Sequence, residues 1–516
     1  MSTDSRIASS IKNISFGITA QVIQMLLGFV SRTVFIKYLA IEYLGVNGLF
    51  TNILSLFSLA ELGIGSAFLY ALYKPIAAKD EKKLAALIGL YSRIYMIIAG
   101  IVTVIGLLIV PFLDMIVDDP SPKIADDLYT IYGLFLFNTV STYFFYYKLS
   151  LFHADQKSYV VSKNNTVIFI LQNLTQIVLL MVFQNFILYL VVQAFFQLSG
   201  NLVLSFMVKK YYPFLEHYKH EKVDEETKKG IYSNVKSTAL IKIGGLLVNS
   251  TDNLILNYFS GLVMVGLLSN YTLLIGLASG LIIQVFAGLT GSIANVNVTE
   301  SMEKRVATFN TVNFANFWIY GWATVGMIVL INDFILIWVG VKYQLPIAIV
   351  IALAFNFYMY GMQNAVWTFK STLGFFKHGQ YLVLLTAIIN LILSFTFGFY
   401  YGLLGILIAT AIARLVTNAW YDPYIVFTLG LNKKPYEYFK KYLVYLLVLL
   451  LSVGVLLAIS NILPFSLGIN FAIKIMLCLS VPNLFIFLFF RKTEEFRYLV
   501  AIATKLFLQL KSKIIR

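Results

Sequence analysis

Residues 94–113 read IYMIIAGIVTVIGLLIVPFL, twenty residues without a charged side chain. A helix of about 20 apolar residues is long enough to cross the roughly 30 Å hydrocarbon core of a bilayer. Similar runs recur along the whole 516-residue chain. They lack the strict alternation of polar and apolar residues that is typical of an outer-membrane barrel. The pattern therefore predicts an all-α integral membrane protein.

The composition excludes a soluble protein. Hydrophobic residues make up 59% of the chain and charged residues 12%, and the mean hydropathy is +0.82. Soluble domains carry about 25% charged residues to cover their surface. The single cysteine, Cys478, excludes an intrachain disulfide and a thiolate zinc site, and we interpret it as a small residue facing lipid or another helix. Arg6 and Lys12 precede the first apolar run without a cleavage motif, which predicts an uncleaved first helix.

Apolar runs separated by polar or turn residues predict fourteen transmembrane helices, called spans 1 to 14 below. They lie near residues 13–36, 45–72, 85–112, 128–151, 160–183, 186–208, 237–259, 262–289, 313–335, 346–369, 381–400, 402–421, 441–463 and 466–490. The joins at Gln184-Asn185 and at Ser260-Gly261 are so short that each predicts a tight helical hairpin.

The distribution of basic residues predicts the orientation. With the N-terminus in the cytoplasm, 31 of the 39 Lys and Arg residues fall on the cytoplasmic side, and only Lys37, Lys123 and Lys342 fall outside. An even number of spans then places both termini in the cytoplasm. The net charge of +15 is spread over many loops. It fits loops that face anionic lipid headgroups and argues against nucleic-acid binding.

The chain leaves little room for an enzyme domain. The longest stretches outside the predicted spans have about 25 residues, too few to bury a core. The sequence has no Gly-x4-Gly-Lys-Ser/Thr loop for ATP. Its histidines fall in or beside predicted loops without an evident third metal ligand: His153, His217, His220 and His378. We therefore predict transport, with no cofactor and no metal site.

Three stretches resemble the polysaccharide transporter (O-antigen flippase) family of the multidrug/oligosaccharidyl-lipid/polysaccharide exporter superfamily. The first is EYLGVNGLFTNILSL at 42–56, which runs into AELGIGSA at 60–67 and ALYKPIAAKD at 71–80. The second is NSTDN at 249–253 followed by VGLLSNYT at 265–272, and the third is FILIWVG at 334–340. The order of these stretches, the number of spans and the predicted orientation all agree with that family, so the resemblance covers nearly the full chain.

The resemblance implies two pseudo-symmetric six-helix lobes around a central cavity, plus two C-terminal helices. In this chain they would be an N-terminal lobe at 1–210, a cytoplasmic linker at 211–236, a C-terminal lobe at 237–430, and spans 13 and 14 with a basic tail at 431–516. An internal repeat agrees with this plan. Ser31-Arg32-Thr33 aligns with Thr251-Asp252-Asn253, and one inserted residue then aligns Gly45 with Gly266 and Thr51 with Thr272.

The implied function is a flippase of the bacterial cytoplasmic membrane. It would move polyprenyl-diphosphate-linked oligosaccharides to the outer leaflet by alternating access, for synthesis of O-antigen, exopolysaccharide or capsule. Its partners would be the lipid-linked oligosaccharide, membrane lipids and polysaccharide polymerase machinery. A peptidoglycan-precursor flippase and a multidrug/cation antiporter of the same superfamily remain alternatives. A polysaccharide polymerase is disfavoured because it would need a larger extramembrane loop.

Five basic residues lie inside the predicted spans, where a charge costs roughly 2.5–3.5 kcal/mol. They are Arg32, Arg93, Lys242, Arg414 and Lys474. Arg93 is near enough to a helix end to extend to the interface, and Lys474 lies outside the paired lobes. The other three occur on polar helical stripes: Arg32 with Gln21, Gln24 and Gly28; Lys242 with Asn249, Asn253 and Asn257; Arg414 with Thr410, Thr417, Asn418 and Tyr421.

These stripes predict the walls of a hydrated cavity. The planar guanidinium of arginine can donate two hydrogen bonds at once to phosphate oxygens, and side-chain amides can hydrogen-bond to the hydroxyls of a sugar headgroup. The predicted substrate-binding residues are Arg32, Lys242, Arg414, Asn249, Asn253, Asn418 and Gln24. The alternative is that each cation pairs with a carboxylate or extends to an interface.

Two carboxylates are predicted inside the spans, Glu61 and Asp252. Burial raises the pKa of a carboxylate, so one of them is a candidate for coupling flipping to an H⁺ or Na⁺ gradient. The alternative for Asp252 is a fixed ion pair with Lys242 or Arg32.

Overall fold

The computed structural model describes residues 3–57, 64–117, 126–155, 157–232, 235, 251–375, 378–460, 462, 464–502 and 504. The regular secondary structure in these ranges is helical throughout. The longer helices are Thr3–Tyr38, Ile41–Phe57, Ile64–Ala78, Glu81–Ile109, Leu128–Ala154, Ser158–Phe183, Phe186–Tyr211, Asp252–Thr299, Met302–Val339, Ile347–Thr372, Gln380–Leu415, Asn418–Ile425, Tyr436–Ser460 and Leu467–Phe490. The prediction of an all-α protein is confirmed.

Ten helical stretches within the described ranges are long and apolar enough to cross a membrane. Spans 11 and 12 count as one of them, because the helical segments between Gln380 and Gly430 follow one another with only short interruptions. Span 2 is divided by residues 58–63, and most of span 7 falls at 236–250, both outside the described residues. Span 4 is not among the ten, since its tyrosines and hydroxyl side chains lower its hydropathy. The chain is a multi-pass membrane protein.

The turns between paired spans occur at residues with positive φ. Gln184 ends span 5 in the left-handed conformation (φ 50°), and the Asn185 side chain caps span 6 by accepting from the Leu188 backbone N–H at 2.7 Å. Gly261 (φ 75°) separates spans 7 and 8, and Gly402 (φ 55°) separates spans 11 and 12. Glycine adopts such angles at little cost. The hairpin predicted at Gln184-Asn185 is confirmed, and the helix is interrupted at Gly261, within the second predicted join.

The helices gather into two compact units, Met1–Ser269 and Asn270–Arg516. In the first, span 1 packs on span 5, and span 4 packs on spans 3 and 6. In the second, span 9 packs on spans 10, 13 and 14. The lobe boundary drawn from the resemblance stays a prediction, because 236–250, where the second lobe would begin, lie outside the described residues.

Spans 2 and 8 cross closely near their first turns. A Cβ added to Gly45 would overlap the Leu262 backbone, and one added to Gly266 would lie 2.8 Å from the Ile41 carbonyl oxygen. The internal repeat pairs Gly45 with Gly266 and, in the same register, Ile41 with Leu262. Each repeat therefore makes the contact that the other makes, as at a two-fold axis. This geometry supports the repeat seen in the sequence.

The predicted linker folds back onto the first unit. Val223 and Ile231 are buried in the core that surrounds the start of span 3, and Lys83 forms an ion pair with Asp224 at 3.4 Å. Hydrogen bonds from Thr227, assisted by Lys83, lower the pKa of Asp224 to about 2. His217 and His220 in this segment are exposed. Among the described residues, no group of three or more His, Cys, Asp and Glu side chains is placed to hold a metal.

Candidate functional site

Arg32 lies near the end of the first helix, Thr3–Tyr38, and is half-buried. Its guanidinium donates a hydrogen bond to the Ser269 hydroxyl of span 8. Gln24, two turns earlier on the same face, is also half-buried, whereas Gly28 between them faces Phe169 of span 5. The predicted stripe on span 1 is therefore partly a packing surface and partly accessible.

The predicted stripe on span 7 is described only in part. Lys242 and Asn249 lie outside the described residues, as does Glu61 on span 2. Asp252 and Asn253 are half-buried in the first turn of Asp252–Thr299. Asn257, which the stripe also contained, is buried and donates to the Ile116 carbonyl oxygen at 2.6 Å. Asn257 thus joins span 7 to the chain that follows span 3.

Span 12 is broken where its predicted stripe lies. The helix ends at Leu415, Thr417 has φ −124° and ψ −100°, and a second helix runs from Asn418 to Ile425. A five-residue π-helix, Val426–Gly430, follows. Irregular backbone at membrane depth persists only inside protein or beside a water-filled cavity, and transporter sites are commonly built on such broken helices.

Two hydroxyls of this stripe serve helix packing. Thr417 shares a hydrogen bond with Thr386 at 2.7 Å, and Thr410 accepts from the Asn390 amide at 3.0 Å. All four side chains are buried. They join spans 11 and 12, which leaves Arg414 and Asn418, both half-buried on either side of the break, as the more accessible members of the stripe.

Arg414 stacks on an aromatic side chain of span 10. Its guanidinium carbon lies 5.4 Å from the centre of the Tyr360 ring, within the range of a cation–π interaction. Tyr360 is 42% exposed and meets the Trp367 ring edge-on, with centroids 5.1 Å apart. The arginine is thus oriented by packing.

A buried ion pair extends this arrangement. Asp422, 4% exposed, accepts hydrogen bonds from Lys370 Nζ at 2.6 Å and from the Trp367 indole N–H at 3.0 Å. The second helix of span 12 is thereby fastened to span 10 one turn beyond the break. We call Tyr360, Trp367, Lys370, Arg414 and Asp422 the span 10–12 cluster.

The sequence prediction of two carboxylates inside the spans was incomplete. Asp422, Asp333 and Glu42 are each buried or half-buried as well, but they fall at or just beyond predicted span ends, where a solvated position is the usual interpretation. Asp333 forms an ion pair with Lys474 at 2.6 Å. Lys474 is therefore paired with a carboxylate, which is the alternative that the sequence left open for each of the cations. Arg93, the other basic residue of weaker interest, is exposed.

The second unit also contains an apolar cavity of about 510 Å³ between spans 8, 9 and 14. Its wall includes Leu274, Trp322, Phe334 and Phe471, and also Cys478, the single cysteine. A cavity of this size and lining suits a hydrocarbon chain.

Asp422→Asn is expected to destabilise the protein by about 3 kcal/mol, because Lys370 would keep its charge in a buried position without its partner. Thermal unfolding in detergent measures the effect. Glu300→Gln, which breaks the more exposed Glu300–Lys304 pair, is the matched control and should cost under about 1 kcal/mol. Equal effects of the two variants would contradict a structural role for the Asp422 pair.

No protein-family model and no curated protein matches this sequence, but solved structures match its fold. The lipid II flippase MurJ in an inward closed conformation gives a TM-score of 0.63 at 18% identity, over 93% of this chain and 99% of that one. An inward-facing multidrug resistance MATE family transporter of the MOP superfamily gives 0.61 at 14%, over 78% and 95%. The Vibrio cholerae MATE transporter VcmN gives 0.54 at 13%, over 83% and 99%.

This protein is therefore a multi-pass membrane protein that has the fold of the MOP-superfamily transporters. MurJ and the MATE proteins carry this fold, and they are similar to this chain over most of its length. At sequence identities of 18% and below, this structural similarity establishes the fold alone.

Proposed function

We propose that this protein is a transporter that flips polyprenyl-diphosphate-linked oligosaccharides across the bacterial cytoplasmic membrane for surface polysaccharide synthesis. The observation that carries the proposal is Arg414, held over Tyr360 beside the break in span 12. A cation at this depth is costly and marks a functional site by default.

The chemistry of the substrate fits these groups. A diphosphate carries about two negative charges, and a guanidinium presents paired donors to phosphate oxygens. Tyr360 offers an exposed ring, and Asn418 an amide, to a polar headgroup. The polyprenyl tail would occupy the apolar cavity between spans 8, 9 and 14. Arg32, Gln24 and Asn253 remain proposed headgroup contacts, together with Lys242 and Asn249.

A lipid II-type flippase is the second candidate. The MurJ match covers 93% of this chain, whereas the two MATE matches leave about a fifth of it uncovered. This difference favours a flippase over a drug or cation antiporter. It does not separate one lipid-linked sugar from another, because the two substrates share a polyprenyl diphosphate.

Coupling and topology complete the proposal. Glu61 or Asp252 would couple flipping to an H⁺ or Na⁺ gradient, both termini would lie in the cytoplasm, and the exported units would pass to polysaccharide polymerase machinery. Flipping that responds to neither pH nor Na⁺ in proteoliposomes would exclude the coupling hypothesis.

Reconstitution tests the substrate class directly. Proteoliposomes are loaded in parallel with a polyprenyl-diphosphate oligosaccharide, with lipid II and with a fluorescent organic cation, and transfer is followed by the access of a sugar-oxidising reagent or by cation uptake. We expect rapid transfer of the oligosaccharide lipid, slower transfer of lipid II and no cation uptake. Cation uptake without lipid transfer would overturn the proposal.

A further inference from the structure

Spans 9, 10 and 13 meet at a buried junction in the second unit. Phe317 of span 9 stacks on Tyr445 of span 13 with centroids 4.2 Å apart. The Phe309 ring, two turns earlier, lies 6.4 Å from the Tyr438 ring. Between spans 9 and 10, the Asn316 amide donates to the Gly361 carbonyl oxygen at 2.8 Å. The three helices are thus in direct contact.

Four polar atoms at this junction have no hydrogen-bond partner among the residues that the structure describes. They are Asn313 Oδ1, Asn316 Oδ1 and the hydroxyls of Tyr358 and Tyr438. Their side chains are 0–2% exposed. Buried polar groups in folded proteins nearly always have a partner, and one that does not requires an explanation.

The four atoms come from neighbouring positions. Asn313 is one turn after Phe309 and one turn before Phe317, so it faces span 13 between Tyr438 and Tyr445. The rings of Tyr358 and Tyr438 both lie beside the Tyr442 ring, with centroids 5.9 and 6.0 Å from it. Asn316 contacts Met362, one turn after Tyr358. Four unpartnered groups at one three-helix junction indicate a common ligand.

We propose that this junction is a binding site for internal water. The two amide oxygens are acceptors and the two phenol hydroxyls are donors. This set matches the two donated and two accepted hydrogen bonds of a water molecule, and buried waters typically make about three. A cation fits the set less well, because it would leave both phenol protons without an acceptor.

The neighbouring charges support water rather than a cation. Both oxygens of Asp422 already accept hydrogen bonds, from Lys370 and Trp367, and Glu495 is paired with Lys441 at 2.8 Å. The four ligand atoms are neutral, and a cation held by neutral groups in a buried site keeps a large desolvation cost. Water at the junction extends the hydrogen bonding next to the span 10–12 cluster towards span 13.

Radiolytic footprinting of the reconstituted full-length protein tests the site, because X-ray pulses convert bound water into hydroxyl radicals that oxidise adjacent side chains. Met362 Sδ lies 4.0 Å from the Asn316 amide nitrogen. Met359, on the same helix and also buried (4% exposed, against 0% for Met362), is the matched control. We expect Met362 to oxidise several-fold faster than Met359. Equal protection of the two methionines would overturn the proposal.

The sign of a stability change gives a second test. In a hydrated junction, Tyr358→Phe and Tyr438→Phe each remove a hydrogen bond to water and should lower the Tm by about 1–2 °C. In a dry junction, each removes an unpartnered hydroxyl, and the Tm should stay constant or rise. Tyr132→Phe, which deletes a direct hydrogen bond to the Gly106 carbonyl oxygen, gives the reference loss. A constant or higher Tm for both variants would overturn the proposal.

Discussion

Replacing Arg414 with alanine is expected to slow flipping of the lipid-linked oligosaccharide by about 10- to 100-fold, because a charge-assisted hydrogen bond contributes about 1.5–3 kcal/mol. Initial flipping rates in proteoliposomes at limiting substrate measure the loss. Arg414→Lys keeps the charge but loses the paired donors and the stacking on Tyr360, so an intermediate rate is expected.

Controls separate binding from folding in this experiment. Arg93→Ala removes an exposed arginine from another span and should flip at the wild-type rate. The Tm of each Arg414 variant is measured beside its flipping rate, so that a loss of folded protein is separated from a loss of substrate binding. Flipping by Arg414→Ala within twofold of wild type, at equal protein amounts, would show that Arg414 does not bind the headgroup.

Gly45→Ala is expected to destabilise the protein by about 1–3 kcal/mol, because its Cβ would overlap the Leu262 backbone, which cannot move as a side chain can. Gly266→Ala meets the Ile41 carbonyl oxygen and should cost a similar amount. Thermal unfolding measures both changes. The double variant should lose less than the sum, since one separation of the helices relieves both overlaps.

Gly89→Ala is the matched control for the glycine crossing. Gly89 lies in the helix Glu81–Ile109, and an added Cβ would meet nothing within 4 Å. Alanine is favoured over glycine in a helix by about 0.5–1 kcal/mol, so this variant should be unchanged or slightly stabilised. A Tm for Gly45→Ala equal to that of Gly89→Ala would mean that spans 2 and 8 do not cross as described.

The fold was largely predictable from the sequence. The helical membrane class follows from local composition, because each membrane-spanning helix is a run of about twenty apolar residues. The turns at Gln184 and Gly261 follow from the polar residues and the glycine that separate such runs. The break at Thr417 was not predicted. Residues 402–421 read as one apolar run, and at the interruption Thr417 shares a hydrogen bond with Thr386, thirty-one positions earlier. A contact between residues that far apart in the sequence produces no pattern of helical or strand periodicity from which it could be predicted.

The candidate site was predictable in part for the same reason. Arg414 was found because a charge inside an apolar run is conspicuous. Its aromatic partner Tyr360 is one of 33 tyrosines, and only the packing of span 10 on span 12 distinguishes it. Asp422 was missed because a charge at a predicted span end is ordinarily solvated. A search for opposite charges at the same end of neighbouring spans would have paired it with Lys370.

The crossing of Gly45 and Gly266 has a consequence for how such a chain changes over generations. Two identical half-length chains would meet through a single glycine used twice, so one codon change would introduce both overlaps at once. In a continuous chain the two glycines have separate codons, so a substitution in one helix leaves the glycine of the other helix unchanged. Joining the halves therefore divides one substitution that introduces two overlaps into two substitutions that each introduce one.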